Sequence, residues 1–510
     1  MIMRSRSLFV LFALVVLFLF QCGKKEKKKE EVVARPETIT VEVEIPEVSW
    51  EKSLAVLPLE MEHVSPEDEV IPAVMTEEIV SNLSRSKKLK VLPPSSADWI
   101  DQSDTQTDYL LKGRVAKSDD RYKTTLTLVD AQNDSILWSE TYENEAESVL
   151  TVSENAARTV ARTLGESVAE KELKPPSPQI VSVYLEAKSY LAQGTRESTD
   201  LAVQKFKEVL RQDSTFALAH VGLAESYLLL IQNQWEHNPV WLRLAQDASR
   251  KAVQANPDLA EGYLQSGRVY MTRGDFKHGE KEFRRALFLN PNSEEAWTGL
   301  GQVFIHYGLY EPCLEVYEKT LALNPANGPV SLSRAMILIG LKRYAQSEAE
   351  IQRTLRYHPD KSHLYSFLAL AHYYQGDLNQ ALKDVQIGMQ SETYRPLSHA
   401  VLAMIYAKQG KLDAALGELE LEVKPYVRTD ASLATAVAAI YALVKQNGQA
   451  VQWLQKALSL GYREYPWLVN DPNFEDLRTD ERFVNLMKEM KRGWEEKMKR
   501  YSSSESRAEV

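Results

Sequence analysis

His358, His363 and His372 are the nearest the sequence comes to a set of metal ligands. A metal held from one helix needs ligands about a turn apart on one face. His358 and His363 are five residues apart and flank Pro359, which ends a helix, so no single helix presents both. Gly299-Leu300-Gly301 lacks the third glycine and the preceding strand of a dinucleotide-binding turn. No phosphate-binding loop, nucleophile elbow or zinc-protease helix is present in the sequence. Two acidic clusters, Glu143 to Glu147 and Asp101 to Asp104, read as solvated loops rather than calcium sites. The chain has two cysteines, Cys22 and Cys313; the second sits where a small packing residue is expected. The reading is of a non-catalytic protein with no cofactor and no metal.

The elements that would position such residues follow from a repeat. Asn256-Pro257, Asn290-Pro291, Asn324-Pro325 and His358-Pro359 recur every thirty-four residues. That period belongs to stacked helical hairpins, none of which can bury its apolar face alone. Each proline stops a second helix, because it lacks an amide proton and clashes with the preceding turn. The residue before it is pushed out of the helical region.

The unit Ala260 to Ser293 carries Tyr263, Gly267, Tyr270, Gly274, Phe283, Ala286 and Pro291; the next carries Trp297, Leu300, Gly301, Phe304, Gly308, Tyr317 and Pro325. These units resemble tetratricopeptide (TPR) repeats, and about eight are expected over residues 180–461. The second has extra residues around Gln234 to Pro239, and in the fifth Lys342 takes the slot of the turn glycine while Gly340 falls out of register. The stretch from Tyr465 to Phe483 looks like a C-terminal closing segment, within a cap at 462–500 and before a disordered tail at 501–510. The resemblance implies a concave groove made by first helices, which here would present Leu264, Arg268, Met271, Gln302, Ile305, Leu332, Met336, Ile339, Leu370, Tyr373 and Met404. Apolar and methionine-rich, such a groove suits an amphipathic helix or extended peptide. The same residues could instead pack on neighbouring helices or under a folded-over C-terminal tail, and both uses stay open. His372 occupies a slot that the family fills with a large aromatic, which implies packing.

Before the repeats the period changes. Leu54 to Leu59 and Leu89 to Pro93 are short strand patterns, with helical spacing from Glu69 to Leu83 between them. Tyr109 to Val115, Tyr122 to Val129 and Ile136 to Tyr142 read as an antiparallel meander, followed by a helix from Glu147 to Glu166. This block, 51–172, resembles the TolB amino-terminal-like domain through Leu54-Ala55-Val56-Leu57-Pro58-Leu59-Glu60, Tyr109 to Val115 and Leu137 to Tyr142. That family works in protein interaction. The expected fold class is therefore α+β: a small α/β domain, a Pro-rich linker at 173–179, and an all-α solenoid.

At the amino terminus, Arg4 and Arg6 precede an apolar run from Leu8 to Phe20, then Gln21-Cys22. Thirteen helical residues span about 20 Å, short of the roughly 30 Å hydrocarbon core. The layout is that of a secretory leader, 1–22, and Cys22 resembles a bacterial lipoprotein acylation site. The lysines from Lys24 to Lys29 favour the opposite topology, a short anchor with the domains facing inward. Residues 23–50 read as a flexible tether of about 30 Å mean reach. A net charge of −10 argues against nucleic acid as a partner. The sequence thus points to a membrane-tethered scaffold of the bacterial cell envelope that binds unidentified proteins or peptides. Its alternative is a cytoplasm-facing regulatory adaptor that lacks an effector domain.

Overall fold

The computed structural model describes residues 43–62, 70–94, 107–118, 121–145, 148–167, 177–392, 394–428, 430–462 and 464–502. The expected leader with Cys22, the expected tether up to residue 42, the expected linker from 173 to 176, and the last eight residues lie outside the described residues. No helix among the described residues is long and apolar enough to cross a membrane.

A six-stranded sheet comes first. It consists of β1 (Lys52–Val56), β2 (Glu60–Glu62), β3 (Leu89–Leu92), β4 (Tyr109–Ser118), β5 (Arg121–Asp130) and β6 (Ile136–Glu145), in the order β3-β1-β4-β5-β6 with β2 beside β4. The first pairings are parallel and β4-β5-β6 is an antiparallel meander. Along β5 Tyr122, Thr124, Leu126 and Leu128 alternate into the core. On the opposite face Thr125 pairs with Thr141 and Thr127 with Ser139 through hydroxyl contacts of 3.0 Å. Helices α1 (Val70–Leu83) and α2 (Val149–Thr163) pack together against the buried face.

Eight helical hairpins follow. The first four are α3 (Pro178–Ala192) with α4 (Arg196–Gln212), α5 (Ala217–Gln232) with α6 (Val240–Ala255), α7 (Ala260–Arg273) with α8 (Phe276–Leu289), and α9 (Glu294–Tyr307) with α10 (Tyr310–Leu323). The rest are α11 (Gly328–Gly340) with α12 (Tyr344–Tyr357), α13 (His363–Gln375) with α14 (Leu378–Gly388), α15 (Arg395–Lys408) with α16 (Leu412–Glu418), and α17 (Ala431–Leu443) with α18 (Asn447–Ser459). Small residues let the helices approach. The Phe283 ring lies where a Cβ on Gly267 or Gly299 would sit, 2.6 and 2.4 Å away, which ties α8 to the helices on both sides. Asp275, Ser293, Asn327, Asp377 and Asp430 accept from backbone amides at helix starts. Gly274, Gly308 and Gly376 end first helices in the left-handed region.

The sheet and the solenoid share one apolar core, which runs from Leu54, Val56 and Leu126 to Tyr184, Phe206 and Tyr227. A second tie is polar and buried. Asn292, in the turn between α8 and α9, donates through Nδ2 to the carbonyls of Ser84 at 3.0 Å, Leu89 at 2.9 Å and Ser86 at 3.3 Å. Its Oδ1 accepts from the Val91 amide at 3.0 Å. The segment Val43 to Trp50, expected to be flexible, lies on the solenoid instead. Val43, Ile45, Val48 and Trp50 pack against its core, and Arg284 donates to the Glu44 carbonyl. Four apolar side chains at near-alternate positions give that stretch a face to bury.

After the last hairpin come α19 (Tyr465–Asn470), a 3₁₀ turn (Pro472–Leu477) and α20 (Glu481–Ser502). At 22 residues, α20 is about 33 Å long. It begins beside α18 and reaches back to α9, where Trp494 Nε1 donates to the Tyr307 carbonyl at 3.2 Å. Near its end Tyr501, expected to open a disordered tail, lies in the helix and donates to Glu280 at 3.1 Å. The C-terminal segment is thus a strap between distant repeats as well as an end cap. Its own Phe474, Leu477 and Phe483 are fully buried.

Candidate protein-binding chamber

The first helices α9, α11, α13, α15 and α17 and the strap enclose a chamber of about 1350 Å³. Small-ligand pockets usually measure about 300–1,000 Å³, so this one is large enough for a polypeptide segment. Its walls are apolar: Ile305, Leu332, Met336, Leu364, Phe367, Leu370, Met404 and Leu433. Tyr462, Glu464, Trp467 and Asp471 close it along the strap. The turns between hairpins form the rim, with Asn324 and Asn327, then His358 and Lys361, then Glu392 and Tyr394, then Tyr426 and Asp430.

Five groove residues read from the sequence meet here: Ile305, Leu332, Met336, Leu370 and Met404. Leu332 and Met336 are half-buried and face the space, whereas Leu370 and Met404 are buried in its wall. The structure does not bring the others into it. Leu264, Arg268 and Met271 lie on α7, outside the chamber, and Arg268 is held by Gln265 at 3.2 Å and Gln232 at 3.1 Å. Gln302 is exposed on α9. Ile339 and Tyr373 are covered by the strap, since Tyr373 donates to Asn473 Oδ1 at 2.6 Å and Ile339 borders Trp467 and Asp471. A folded-over tail therefore takes one edge of the groove and leaves the rest open.

Gly340 explains where the strap sits. A Cβ there would lie 2.6 Å from the Trp467 ring, so the helix must be bare at that point. Lys342 assumes the turn role with φ of +62°, as Lys445 does in the last hairpin. The out-of-register glycine is a docking surface, and the turn tolerates a left-handed lysine. Sequence reasoning missed the four strap residues of the chamber wall. Their signal was the pairing of Pro466 and Pro472 with Trp467 and Phe474, two helix starts too short to form a further hairpin.

The three histidines go to separate tasks. His372 Nδ1 meets Asp384 at 2.6 Å and its Nε2 lies 3.3 Å from Glu348, which links α13 to both flanking second helices. His358 bonds the Ala326 carbonyl at 2.7 Å and His363 stacks on Tyr394. Among the described residues no group of three His, Cys, Asp or Glu could hold a metal ion. Cys313 is buried against the Gly301 carbonyl, and burial pushes its thiol well above the usual range. A thiol so shielded is a poor nucleophile.

Two acids face the chamber from the strap. Burial pushes Asp471 up to about 6, although the Asn473 amide at 2.9 Å and the Tyr374 hydroxyl at 3.1 Å favour its charged form. Glu464 is raised for the same reason, with Tyr310 donating to it at 3.4 Å. A carboxyl whose folded pKa exceeds the unfolded value near 3.8 makes the fold bind more protons than the unfolded chain. Its contribution to stability therefore declines as pH rises from about 4 to about 6 and stays low above that. We expect Asp471→Asn to gain stability relative to the parent chain by up to about 3 kcal/mol between pH 4 and pH 7. Urea unfolding of both proteins across that range measures the difference, and a constant difference contradicts the assignment.

Comparison with known proteins bears on both parts of the chain. Residues 260–303 and 332–387 each match a tetratricopeptide repeat family. The solenoid contains TPR repeats. Residues 50–158 match the family described as HilA/YgeH-like transcriptional regulator, second domain, a different description from the TolB-like one suggested by the sequence. A putative adenylate cyclase 3 of Rhizobium meliloti (strain 1021) is 24% identical over 234 residues, 43% of this chain and 40% of that protein. The aligned region thus spans less than half of that relative's length. Among solved structures, the type IV pilus biogenesis factor PilW is 16% identical with a TM-score of 0.39, covering 44% of this chain and all of PilW. PilF of Pseudomonas aeruginosa is 17% identical with a TM-score of 0.36, covering 42% and 93%. YrrB, a TPR protein with an unusual peptide-binding site, is 16% identical with a TM-score of 0.31, covering 38% and 95%. TPR repeats are protein-interaction units, and the two matched stretches support an interaction role for the solenoid.

Proposed function

We propose that this protein is a non-catalytic, membrane-tethered scaffold of the bacterial cell envelope that holds segments of partner proteins in the solenoid chamber. The observation that carries the reading is the chamber itself: open, apolar, about 1350 Å³, and walled by rigid helices. Side chains fixed on packed helices lose little entropy when a partner arrives, so buried apolar contacts translate into affinity. Ile305, Leu332 and Met336 are the anchors that a partner would cover. The TolB-like reading of the sheet domain gives that unit a role in interaction as well, fixed against the solenoid by Asn292.

The tether rests on the leader and Cys22. Acylation of Cys22 would leave the charged stretch up to residue 42 between the membrane and the docked segment that starts at Val43. The match of residues 50–158 to a regulator domain favours a second reading, a cytoplasm-facing regulatory adaptor. Labelled palmitate separates the two. The envelope reading expects incorporation that disappears in Cys22→Ala, together with cleavage by protease added to intact spheroplasts. An unlabelled, fully protected chain supports the adaptor instead.

A further inference from the structure

The chamber is apolar on its walls and carries two carboxyl groups where the strap closes it. Glu464 and Asp471 both line the space. Among the described residues neither forms an ion pair within 4 Å; Glu464 has the Tyr310 hydroxyl, and Asp471 has the Tyr374 hydroxyl and the Asn473 amide. Lys408 and Arg478 act on Asp471 from a distance. A carboxylate at the end of an apolar chamber is costly unless a cation meets it. From these placements, and resting on the peptide-binding reading above, we infer that the occupant is a helical segment of a partner protein, with an apolar face and a lysine or arginine that reaches Glu464.

The apolar face would lie on Leu332, Met336 and Leu370, which α11 and α13 present side by side. The basic residue would replace water around Glu464 and hold its carboxyl ionised, so binding releases a proton wherever burial had kept one there. A partner with an acidic residue at the same place would set two carboxylates together in a poorly hydrated space and be rejected. Specificity would therefore come from the strap and most of the contact area from the repeats.

The test uses the purified full-length protein and two fluorescent eighteen-residue peptides that share leucines at helical spacing. One carries lysine and the other glutamate at the remaining positions. We expect the lysine peptide to bind and the glutamate peptide to bind at least about tenfold more weakly. Glu464→Gln should weaken the lysine peptide roughly tenfold or more, while Glu315→Gln, the same charge change on exposed α10 surface, leaves it unchanged. Met336→Glu should abolish binding of the lysine peptide. Equal affinity for both peptides, or equal effects of the two glutamine variants, would overturn the charge inference; if Met336→Glu still removed binding, the chamber would stand as a peptide site. Absence of binding, or binding unaffected by Met336→Glu, would remove both readings.

Discussion

Asn292→Ala is expected to destabilise the protein by roughly 3–5 kcal/mol, more than any other single polar substitution considered. One buried side chain answers three backbone carbonyls and one amide of the sheet domain, at 2.9 to 3.3 Å. Alanine removes all four bonds and leaves their partners shut away from water, each at a cost of about 1 kcal/mol or more. The position explains the specificity of the contact. Asn292 follows the Asn290-Pro291 stop, and the equivalent residues in neighbouring repeats are Asp258 and Ala326, which lack its amide side chain. Asp258→Ala, at an exposed site, should stay within about 0.5 kcal/mol. Urea unfolding measures both, and amide hydrogen exchange should show the lost protection concentrated in Ser84 to Val91. An Asn292→Ala protein as stable as its parent would mean that the shared apolar core alone fixes the two parts.

The second large effect concerns binding. Leu332→Asp combined with Met336→Glu should weaken capture of the natural partner about a thousandfold, from two anchors worth roughly 2 kcal/mol each. Both residues are half-exposed on α11, one helical turn apart, so the fold should tolerate the pair with a small change in Tm. Leu370 and Met404 are poorer sites for such a test. They are buried in the wall, and a charge there would damage the solenoid as well as the chamber. Partner recovery after crosslinking in cells, compared between parent and double variant, reads the effect. Undiminished recovery would place the binding surface elsewhere.

What the sequence could and could not disclose follows from the range of the interactions involved. The thirty-four-residue period sets the hairpins through local rules: glycine where a left-handed residue ends a first helix, proline where a second helix stops, and Gly267 and Gly299 where Phe283 must fit. Those signals lie within one or two repeats of their effect. The path of the strap does not. It depends on Trp467 meeting the bare surface of Gly340, on Trp494 against Gly308, and on Asn473 between Tyr373 and Met404. Each pair is separated by about seventy residues or more, and no period announces them. Leu332 and Met336 were legible as groove residues because their repeat position is enough to place them. Ile339 and its equivalent one repeat on, Tyr373, were read the same way, yet the strap takes both. Glu464 and Asp471 were hidden for the same reason, since a residue in a closing segment reveals its chamber only once the segment's course is known. The docked stretch from Val43 to Trp50 is a milder case: its alternating apolar residues were visible, and their partner surface was not.

The central claim is that the chamber is where this protein holds another. A photo-crosslinking residue placed at Met336 in living cells tests it most directly, with the same residue at Glu315 on the exposed surface of α10 as comparison. The account predicts discrete, saturable protein adducts from position 336, lost when Leu332→Asp is added, and none of the same size from position 315. Adducts of equal size and yield from both positions, or none from 336, would contradict it.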